Sequence, residues 1–306
     1  MLIRKEFEQI QKTTGFNLEL LEKAYHLTRV LNEMQKQPIL RENLILKGGT
    51  ALNFIYLNIP RLSIDLDFDY TGKIIKEEMV KQRLQIEKEI KEIFSKLDYN
   101  IRDRGSSYII SRQSLQYQTI RNTRDHIKIE VNYLDRMPLG KIEKKEFSSM
   151  FPDIPPFSVA SYSIEELTSQ KSTACLDRSE IRDIYDLHML SKQKMSIEKI
   201  QTFATIYFCM SANNSKPDIS KIKDFDIKKI QQELHQFMRN SEKLDPNIIK
   251  EDACMFLEEI FAFNKPQQKF IDIFFNENKI LAELVEINET KLTRHPALLH
   301  KIQKIK

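Results

Sequence analysis

Two acidic residues and two glycines near residue 50 could act on the same ligand. Asp65 and Asp67 fall in the segment 62–68, where apolar and polar residues alternate. Alternation with a period of two predicts a strand that carries both carboxylates on one face. Carboxylates this close repel each other unless a cation lies between them, and hard oxygen ligands of this kind suit Mg²⁺ or Mn²⁺. The segment therefore predicts a divalent metal site.

The diglycine Gly48-Gly49 precedes the acidic segment and could bind the phosphates of a ligand held by the metal. It follows the short apolar run 44–46 and precedes residues 50–56, whose apolar positions have helical spacing. Glycines between a strand and a helix let backbone N–H groups approach an anion, which the positive end of the helix also favours. Gly48, Gly49 and Thr50 are therefore candidates to hold the β- and γ-phosphates of a triphosphate. Either half of this pattern alone is more typical of a surface turn or a solvated strand than of a site, but both together in this order favour a site.

The same stretch resembles a known family. Residues 47–52 (KGGTAL) and 61–68 (RLSIDLDF) are similar to the first signature of the AbiEii/AbiGii-type nucleotidyltransferases. These are toxin halves of bacterial abortive-infection toxin–antitoxin pairs, relatives of the MenT toxins within the DNA polymerase β superfamily. The resemblance implies a nucleoside triphosphate substrate and a separate antitoxin. It also implies nucleotide binding by Lys47, Arg61 and Ser63, although the last two could equally cap the turn before the strand.

A third acidic residue lies in a later alternating segment, 126–133, where Glu130 stands between Ile129 and Val131. Polymerase β-like enzymes carry a third carboxylate in an apolar-acid-apolar strand of this kind. The resemblance therefore implies that Glu130 completes the metal site with the two aspartates. The alternative is an exposed glutamate that pairs with Lys128 or Arg124.

A lysine and an RDxxDL element occur later in the chain. The segment 165–190 is similar to the second signature of the same family, and Lys171 matches its lysine. Arg182, Asp183 and Asp186 match the RDxxDL element. The resemblance implies that Lys171 contacts the triphosphate, that Arg182 and Asp183 bind nucleotide, and that Asp186 takes part in catalysis with Lys171. The spacing alone is equally typical of a surface lysine and of a local ion pair that fixes a turn between helices.

Length and composition limit the class of protein. The 306 residues suffice for two domains, and a net charge of +4 from 48 basic and 44 acidic residues permits a basic patch without indicating a uniformly basic protein. No apolar run has membrane-spanning length, and the charged N-terminus lacks a signal-peptide core, which favours a cytoplasmic protein with no membrane partner. The three scattered cysteines indicate free thiols rather than disulfides or a zinc site.

A change of sequence period predicts the domain organisation. Residues 1–157 hold N-terminal helices, the strand-turn-helix stretch and four predicted strands, at 99–102, 108–112, 115–120 and 126–134. Residues 136–160 are rich in proline and poor in periodic apolar positions, so they are the predicted boundary. Residues 158–306 have helical spacing almost throughout, with amphipathic segments that include 197–210, 226–239, 247–263, 267–275 and 278–287. The predicted fold class is α+β, with a polymerase β-type nucleotidyltransferase domain built on a mixed sheet, followed by a helical bundle domain.

The sequence therefore predicts a metal-dependent nucleotidyltransferase. It would move a nucleoside monophosphate from a triphosphate to an acceptor hydroxyl and release pyrophosphate. The family resemblance implies a toxin of a phage-defence pair, with a tRNA 3′ end as the acceptor. The alternatives are transfer to a protein or a small molecule, and a catalytically silent module that binds nucleotide or RNA.

Overall fold

Seven strands form one mixed sheet in the computed structural model, which describes residues 2–212 and 216–305. The strands are β1 (Leu44–Lys47), β2 (Asp65–Tyr70), β3 (Asn100–Asp103), β4 (Ile110–Gln118), β5 (Arg124–Asn132), β6 (Glu143–Phe147) and β7 (Phe157–Ser161). Their order across the sheet is β3-β4-β5-β2-β1-β7-β6. The pairs β2–β5 and β1–β7 are parallel, and the other neighbours are antiparallel.

Helices precede, connect and follow the strands. In chain order they are α1 (Arg4–Thr14), α2 (Leu18–Lys36), α3 (Pro38–Asn43), α4 (Gly48–Ala51), α5 (Lys76–Lys96), α6 (Ile164–Arg178), α7 (Ile181–Ser191), α8 (Ile197–Ser211), α9 (Ser220–Lys223), α10 (Ile227–His235), α11 (Pro246–Ile260), α12 (Lys265–Glu277), α13 (Glu289–Thr293) and α14 (Pro296–Ile305). A π-helical turn, Leu52–Tyr56, continues α4. None of the described helices is long and apolar enough to cross a membrane. The predicted α+β class is confirmed.

The chain forms two compact units. The first comprises Met1–Arg136, Ile142–Tyr162 and His235–Glu242, and the second comprises Met137–Lys141, Ser163–Leu234 and Lys243–Lys306. The first unit contains the whole sheet, whereas the second is built from helices and connecting segments. The chain passes between the units at several points. The predicted division into domains at residue 157 stays a prediction.

Strand β2 begins later than the alternating pattern predicts. The pattern starts at Leu62, but the strand runs from Asp65 to Tyr70. The N–H group of Leu62 donates to the carbonyl oxygen of Phe237 at 3.0 Å, and this contact occupies a backbone group that a strand neighbour would otherwise take. Within the strand, Leu66 and Phe68 are buried and the aspartates face the other side, as predicted.

Residues 136–160 are not the element-poor segment that their composition predicts. They contain β6 and nearly all of β7, and β7 extends the sheet by pairing with β1 through Leu46 and Ser161. Strand β6 lies at the sheet edge, and its sequence (EKKEF) has too few apolar residues to show a period. The prediction of two strands within 108–120 is also wrong. One strand, β4, spans that region because the polar residues Gln113 and Ser114 are buried within it.

The strands β3, β4 and β5 bury one face, and on the other face the small side chain of Ser114 is also buried. Leu115, Ile127 and Ile129 are at most 3% exposed, and helices α2 and α5 pack on this part of the sheet. In the second unit, α6 packs on α8 and α7 on α11. The last amphipathic segment expected there, 278–287, is mostly irregular with one 3₁₀ turn, Ala282–Leu284.

Candidate active site

The diglycine turn lies directly against one of the aspartates. Gly48 has φ of +70°, in the left-handed region, and a Cβ atom at this position would lie 2.6 Å from Oδ2 of Asp67. Glycine is required here for two independent reasons, its backbone conformation and the close approach of the carboxylate. The structure therefore brings together the turn and the acidic strand that the sequence assigns to one site.

Arg61 and Ser63 line the other side of the same turn. A Cβ atom on Gly49 would lie 2.9 Å from Nη2 of Arg61 and 3.2 Å from Oγ of Ser63. Arg61 is 2% exposed, and its Nη1 donates to the carbonyl oxygen of Leu62 at 3.0 Å. A buried guanidinium beside two glycines places positive charge close to the turn backbone.

Two side-chain hydrogen bonds fix the helix that follows the turn. Oγ1 of Thr50 donates to the carbonyl oxygen of Asp65 at 2.5 Å, and Nδ2 of Asn53 donates to the carbonyl oxygen of Gly49 at 2.8 Å. Thr50 thus ties α4 to β2 through its hydroxyl, which leaves its backbone N–H as the group suited to a phosphate. Asn53 was not predicted, although its position four residues after Gly49 fits a hydrogen bond within one helical turn.

The strand register sets three acidic residues side by side. Asp65 and Asp67 share one face of β2, and Glu130 on β5 lies directly opposite Asp67. Oε2 of Glu130 accepts a hydrogen bond from Nε of Arg112 at 2.6 Å, and both side chains are partly exposed. Glu130 therefore pairs with Arg112, and not with Lys128 or Arg124, the two partners expected if it were an exposed surface glutamate. The role of Glu130 as a third ligand stays a prediction.

The fit of a divalent cation rests on the two aspartates. Within residues 2–212 and 216–305 no group of three His, Cys, Asp or Glu side chains is arranged to hold a metal ion. Mg²⁺ commonly binds one or two carboxylates and completes its shell with water and substrate phosphates. Asp65 and Asp67 on one strand face, beside a turn suited to phosphate, satisfy this requirement.

A third aspartate on the same strand face is buried. The side chain of Asp69 is 1% exposed, and its Oδ1 lies 2.7 Å from Nζ of Lys47. Its Oδ2 accepts a hydrogen bond from the hydroxyl of Tyr162 at 2.8 Å. Sequence reasoning did not select Asp69 or Tyr162 for the site. The period of two places Asp69 on the same face as Asp65 and Asp67. The hydroxyl that bonds its carboxylate, however, belongs to Tyr162, which lies 93 positions later in the sequence.

The charges around Lys47 favour an additional cation. Burial raises the pKa of Asp69 to about 7, although the ammonium of Lys47 opposes the rise. Burial alone would lower the pKa of Lys47, but the attraction of Asp69, Asp135 and Asp67 outweighs it and the pKa is raised. Asp135 also raises the pKa of Asp69, so a single lysine faces several carboxylates. A bound divalent cation would relieve this excess of negative charge.

A second buried cluster lies in the helical unit. Nζ of Lys171 on α6 is 2.8 Å from Oδ1 of Asp183 and 3.0 Å from Oδ2 of Asp186, both on α7. Lys171 is 6% exposed and the two aspartates are buried. Nε of Arg178 donates to Oδ2 of Asp183 at 2.7 Å. Burial alone would raise the pKa of Asp183, but the charges of Lys171 and Arg178 hold it well below its ordinary value.

The structure brings the candidates together in two sets. One set, in the first unit, is Lys47, Gly48, Gly49, Thr50, Arg61, Ser63, Asp65, Asp67 and Glu130. The other set, in the second unit, is Lys171, Asp183 and Asp186. Arg182 is partly buried on α7 beside Asp183. Arg178 belongs to the second cluster, although the signature did not indicate it.

The fold is similar to that of two solved structures. The solved structure of MenT4, a nucleotidyltransferase toxin from Mycobacterium tuberculosis H37Rv, is similar with a TM-score of 0.68 and 13% identity over 96% of this chain and 99% of that one. A putative nucleotidyltransferase from H. pylori is similar with a TM-score of 0.50 and 19% identity over 78% of this chain and 93% of that one. At these identities the similarity concerns the fold.

The sequence itself specifies the family. Residues 29–259 match the family described as nucleotidyl transferase AbiEii toxin, type IV toxin–antitoxin system. This match spans more than half of the chain, and the protein therefore belongs to the AbiEii family and is a nucleotidyltransferase. The predicted resemblance is confirmed. No curated protein matches the sequence.

Proposed function

We propose that this toxin transfers a nucleoside monophosphate from a triphosphate to the 3′-terminal hydroxyl of a tRNA, in a reaction that requires a divalent metal. The observation that carries the proposal is the pair Asp65 and Asp67 on one face of β2, in contact with the Gly48 turn. The family supplies the reaction class and the toxin role. Metal dependence and the tRNA acceptor are the new parts of the proposal.

Asp65 and Asp67 would hold the cation in this scheme. Bound Mg²⁺ or Mn²⁺ would stabilise negative charge on the transferring phosphoryl group and make the acceptor hydroxyl more acidic. Glu130 would become a third ligand if its carboxylate left Arg112 and bound the metal instead. The pair Arg112–Glu130 is partly exposed, so that exchange costs little desolvation.

The turn and its cationic neighbours would bind the triphosphate. Backbone N–H groups of Gly48, Gly49 and Thr50 would donate to phosphate oxygens. Lys47, Arg61 and Ser63 would contribute charge and further donors, and their positions beside the turn support this assignment. Positioning and electrostatic stabilisation carry most of the catalysis in phosphoryl transfer.

The cluster on α6 and α7 would serve the same reaction, as the second family signature implies. We assign Lys171, Arg182 and Asp183 to nucleotide binding and Asp186 to catalysis. The match to the family signature supports the assignment. In the structure Lys171 is buried and bonded to both aspartates, and a phosphate would have to replace one of them to reach its ammonium group.

Transfer of label from each of the four α-labelled triphosphates to total cellular RNA tests the proposal. With Mg²⁺ present the wild-type protein should label RNA in the tRNA size range, and EDTA should abolish the labelling. Asp65→Asn and Asp67→Asn should each reduce the rate by about 100-fold or more, because transition-state charge is left uncompensated. Glu92→Gln, an exposed acid-to-amide change on α5, should keep the wild-type rate.

The distribution of the label separates the alternatives. Label in the protein fraction or in small molecules would disprove the RNA acceptor. Rapid labelling of RNA by a folded Asp65→Asn protein would disprove the role of the aspartates. Sequencing the 3′ ends of labelled tRNA identifies the added nucleotide and its position.

The toxin role has its own test in cells. Induced expression of the wild-type protein should arrest growth, and the Asp67→Asn variant expressed to the same level should not. A separate antitoxin should relieve the arrest when both proteins are expressed. Equal arrest by both forms would show that growth inhibition does not depend on nucleotidyl transfer.

A further inference from the structure

Strands β3, β4 and β5 expose one polar face. Arg102 on β3, Arg112 on β4, and Arg124 and Lys128 on β5 are all exposed. The strand register and the period of two set these residues on one side of the sheet. The side chains that point the other way include Leu115, Ile127 and Ile129, and these are buried. We call the exposed side, with its four cations, the basic face.

The basic face continues into the row that contains Asp65. Arg102 lies opposite Ser114, Ser114 opposite Lys128, and Lys128 opposite Asp65. These four residues form one row across β3, β4, β5 and β2. Neighbouring strands lie about 4.8 Å apart, and so the row extends roughly 14 Å from the aspartate. The next row joins Arg112, Glu130 and Asp67 in the same way.

Cations predominate on this face. Among the described residues of β3, β4 and β5, Glu130 is the acidic residue that shares the face, and it is paired with Arg112. The acids Asp103 and Asp125 belong to the opposite face by alternation. Arg102 and Lys128 therefore present positive charge in the row that ends at Asp65, and Arg124 lies four residues before Lys128 on the same face of β5. Such a surface attracts phosphates and tolerates any base sequence.

The pKa of His126, a neighbour of Lys128, lies below its ordinary value, and Lys128 is the smallest of the causes. Burial lowers the pKa of His126, and Lys23 lowers it further against the opposing effect of Asp125. Arg104 and Lys128 make additional contributions in the same direction. His126 lies on β5 two residues from Lys128, within the same face.

Donor and acceptor would then approach the aspartates from opposite sides. Strand β1, which leads into the Gly48 turn, is the neighbour of β2 on one side, and β5 is its neighbour on the other. Lys47 and Glu130 accordingly flank Asp67 in the register. A triphosphate held at the turn lies on the β1 side and cannot also occupy the basic face beyond β5.

We propose that the basic face binds the sugar-phosphate backbone of the RNA acceptor and leads its 3′ end to Asp65. The inference rests on the proposed transfer to RNA and adds the surface that selects this class of acceptor. In this arrangement the RNA phosphates contact the cations Arg102, Arg124 and Lys128. The side-chain amides of Gln116 and Gln118, on the same face, supply neutral hydrogen-bond donors.

The test compares two triple variants with equal changes in charge. Arg102→Gln/Arg124→Gln/Lys128→Gln removes three cations from the basic face. The control, Lys88→Gln/Lys91→Gln/Lys96→Gln, removes three exposed cations from α5, which packs on the other side of the sheet. The KM for bulk tRNA, the KM for the triphosphate and the salt dependence of tRNA binding are measured for both variants and for the wild-type protein.

The basic-face variant should raise the KM for tRNA about tenfold or more and reduce the slope of log K against log salt by about 3, roughly one for each lost phosphate contact. Its KM for the triphosphate and its urea midpoint should stay at wild-type values, and the α5 variant should match the wild type throughout. The charge-conserving variant Arg102→Lys/Arg124→Lys should keep most of the affinity and the wild-type salt slope, because counterion release depends on the number of cations that meet phosphates.

Two failures are distinguishable. If the wild-type protein labels RNA but the basic-face variant keeps its KM for tRNA and its salt slope, the proposed surface is wrong and the reaction stands. If the wild-type protein labels protein or a small molecule and does not label RNA, the proposed function is wrong, and the inference about its acceptor surface falls with it.

Discussion

Nζ of Lys47 lies 2.7 Å from Oδ1 of Asp69, and the carboxylate at this contact is almost completely buried. The only other hydrogen bond that the structure gives this carboxylate, within residues 2–212 and 216–305, comes from the hydroxyl of Tyr162. The ion pair joins the last residue of β1, immediately before the turn at Gly48, to β2. It therefore links the stability of the sheet to the position of the candidate site.

Lys47→Met should destabilise the protein because it leaves a buried carboxylate without its cation. The expected loss in the free energy of unfolding is about 3–5 kcal/mol at pH 8, measured by urea denaturation. Adding Asp69→Asn to Lys47→Met should recover much of the loss, since the unpaired charge is then gone. Tyr162→Phe, which removes one hydrogen bond to the same carboxylate, serves as the milder comparison. A double variant as unstable as Lys47→Met would contradict this account.

Gly48→Ala should impair both folding and catalysis, whereas Gly105→Ala should affect folding alone. Both glycines have positive φ, +70° and +88°, so each substitution costs about 1–2 kcal/mol of backbone strain. Only at Gly48 would the new Cβ atom meet Asp67, at 2.6 Å, because nothing lies within 4 Å of it at Gly105. We expect a loss of about tenfold or more in transfer rate for Gly48→Ala. Comparison of rates under conditions where both variants are folded checks the prediction, and equal rates would refute it.

Local patterns were sufficient to predict the core of the candidate site. The contact of Gly48 with Asp67 and those of Gly49 with Arg61 and Ser63 arise within a single strand-turn-helix-strand stretch. Residue spacing determines the order of these residues. The alternation around Glu130 likewise predicted a strand with the right face. These relationships depend on periods of two and on glycine chemistry, both of which are visible in a sequence.

Long-range pairing was beyond the reach of the same patterns. The burial of Asp69 depends on Tyr162, which follows β7, and the partner of Glu130 depends on the register between β4 and β5. Strand β6 has too few apolar residues to be recognised, and β4 is buried at Gln113 and Ser114 despite their polarity. Strand register and burial by residues distant in sequence are tertiary properties, so the local periodicity of apolar residues does not specify them.

The imidazole of His26 should make stability fall in mild acid. His26 is 4% exposed, accepts or donates a hydrogen bond with the hydroxyl of Tyr99 at 2.6 Å, and stacks on Tyr117. Burial, aided by the charge of Arg29, lowers its pKa from 6.5 to about 3. Between these values the unfolded chain binds a proton that the folded chain does not, so the free energy of unfolding decreases as pH falls from about 6.5 toward 3.

The comparison with His26→Gln isolates this group. Glutamine does not titrate, so the wild-type protein should lose about 2 kcal/mol relative to the variant between pH 7 and pH 5. Urea midpoints measured for both proteins at the two pH values, with EDTA present, check the prediction. A constant difference between the two proteins over this range would show that His26 is protonated as easily when folded as when unfolded.

Stability alone cannot distinguish the proposed nucleotide-binding role of the cluster of Lys171 with Asp183 and Asp186 from a purely structural role. Lys171→Met removes the cation that two buried carboxylates share and should cost about 3–5 kcal/mol. The triple variant Lys171→Met/Asp183→Asn/Asp186→Asn removes the charges together and should recover much of that loss. Arg178→Gln, at a side chain that is 56% exposed, should change stability little.

The labelling assay separates the two roles. If Lys171 and Asp186 act on the nucleotide, the triple variant stays inactive in this assay although it is folded. A fully active triple variant would show that the cluster only fixes the contact between α6 and α7.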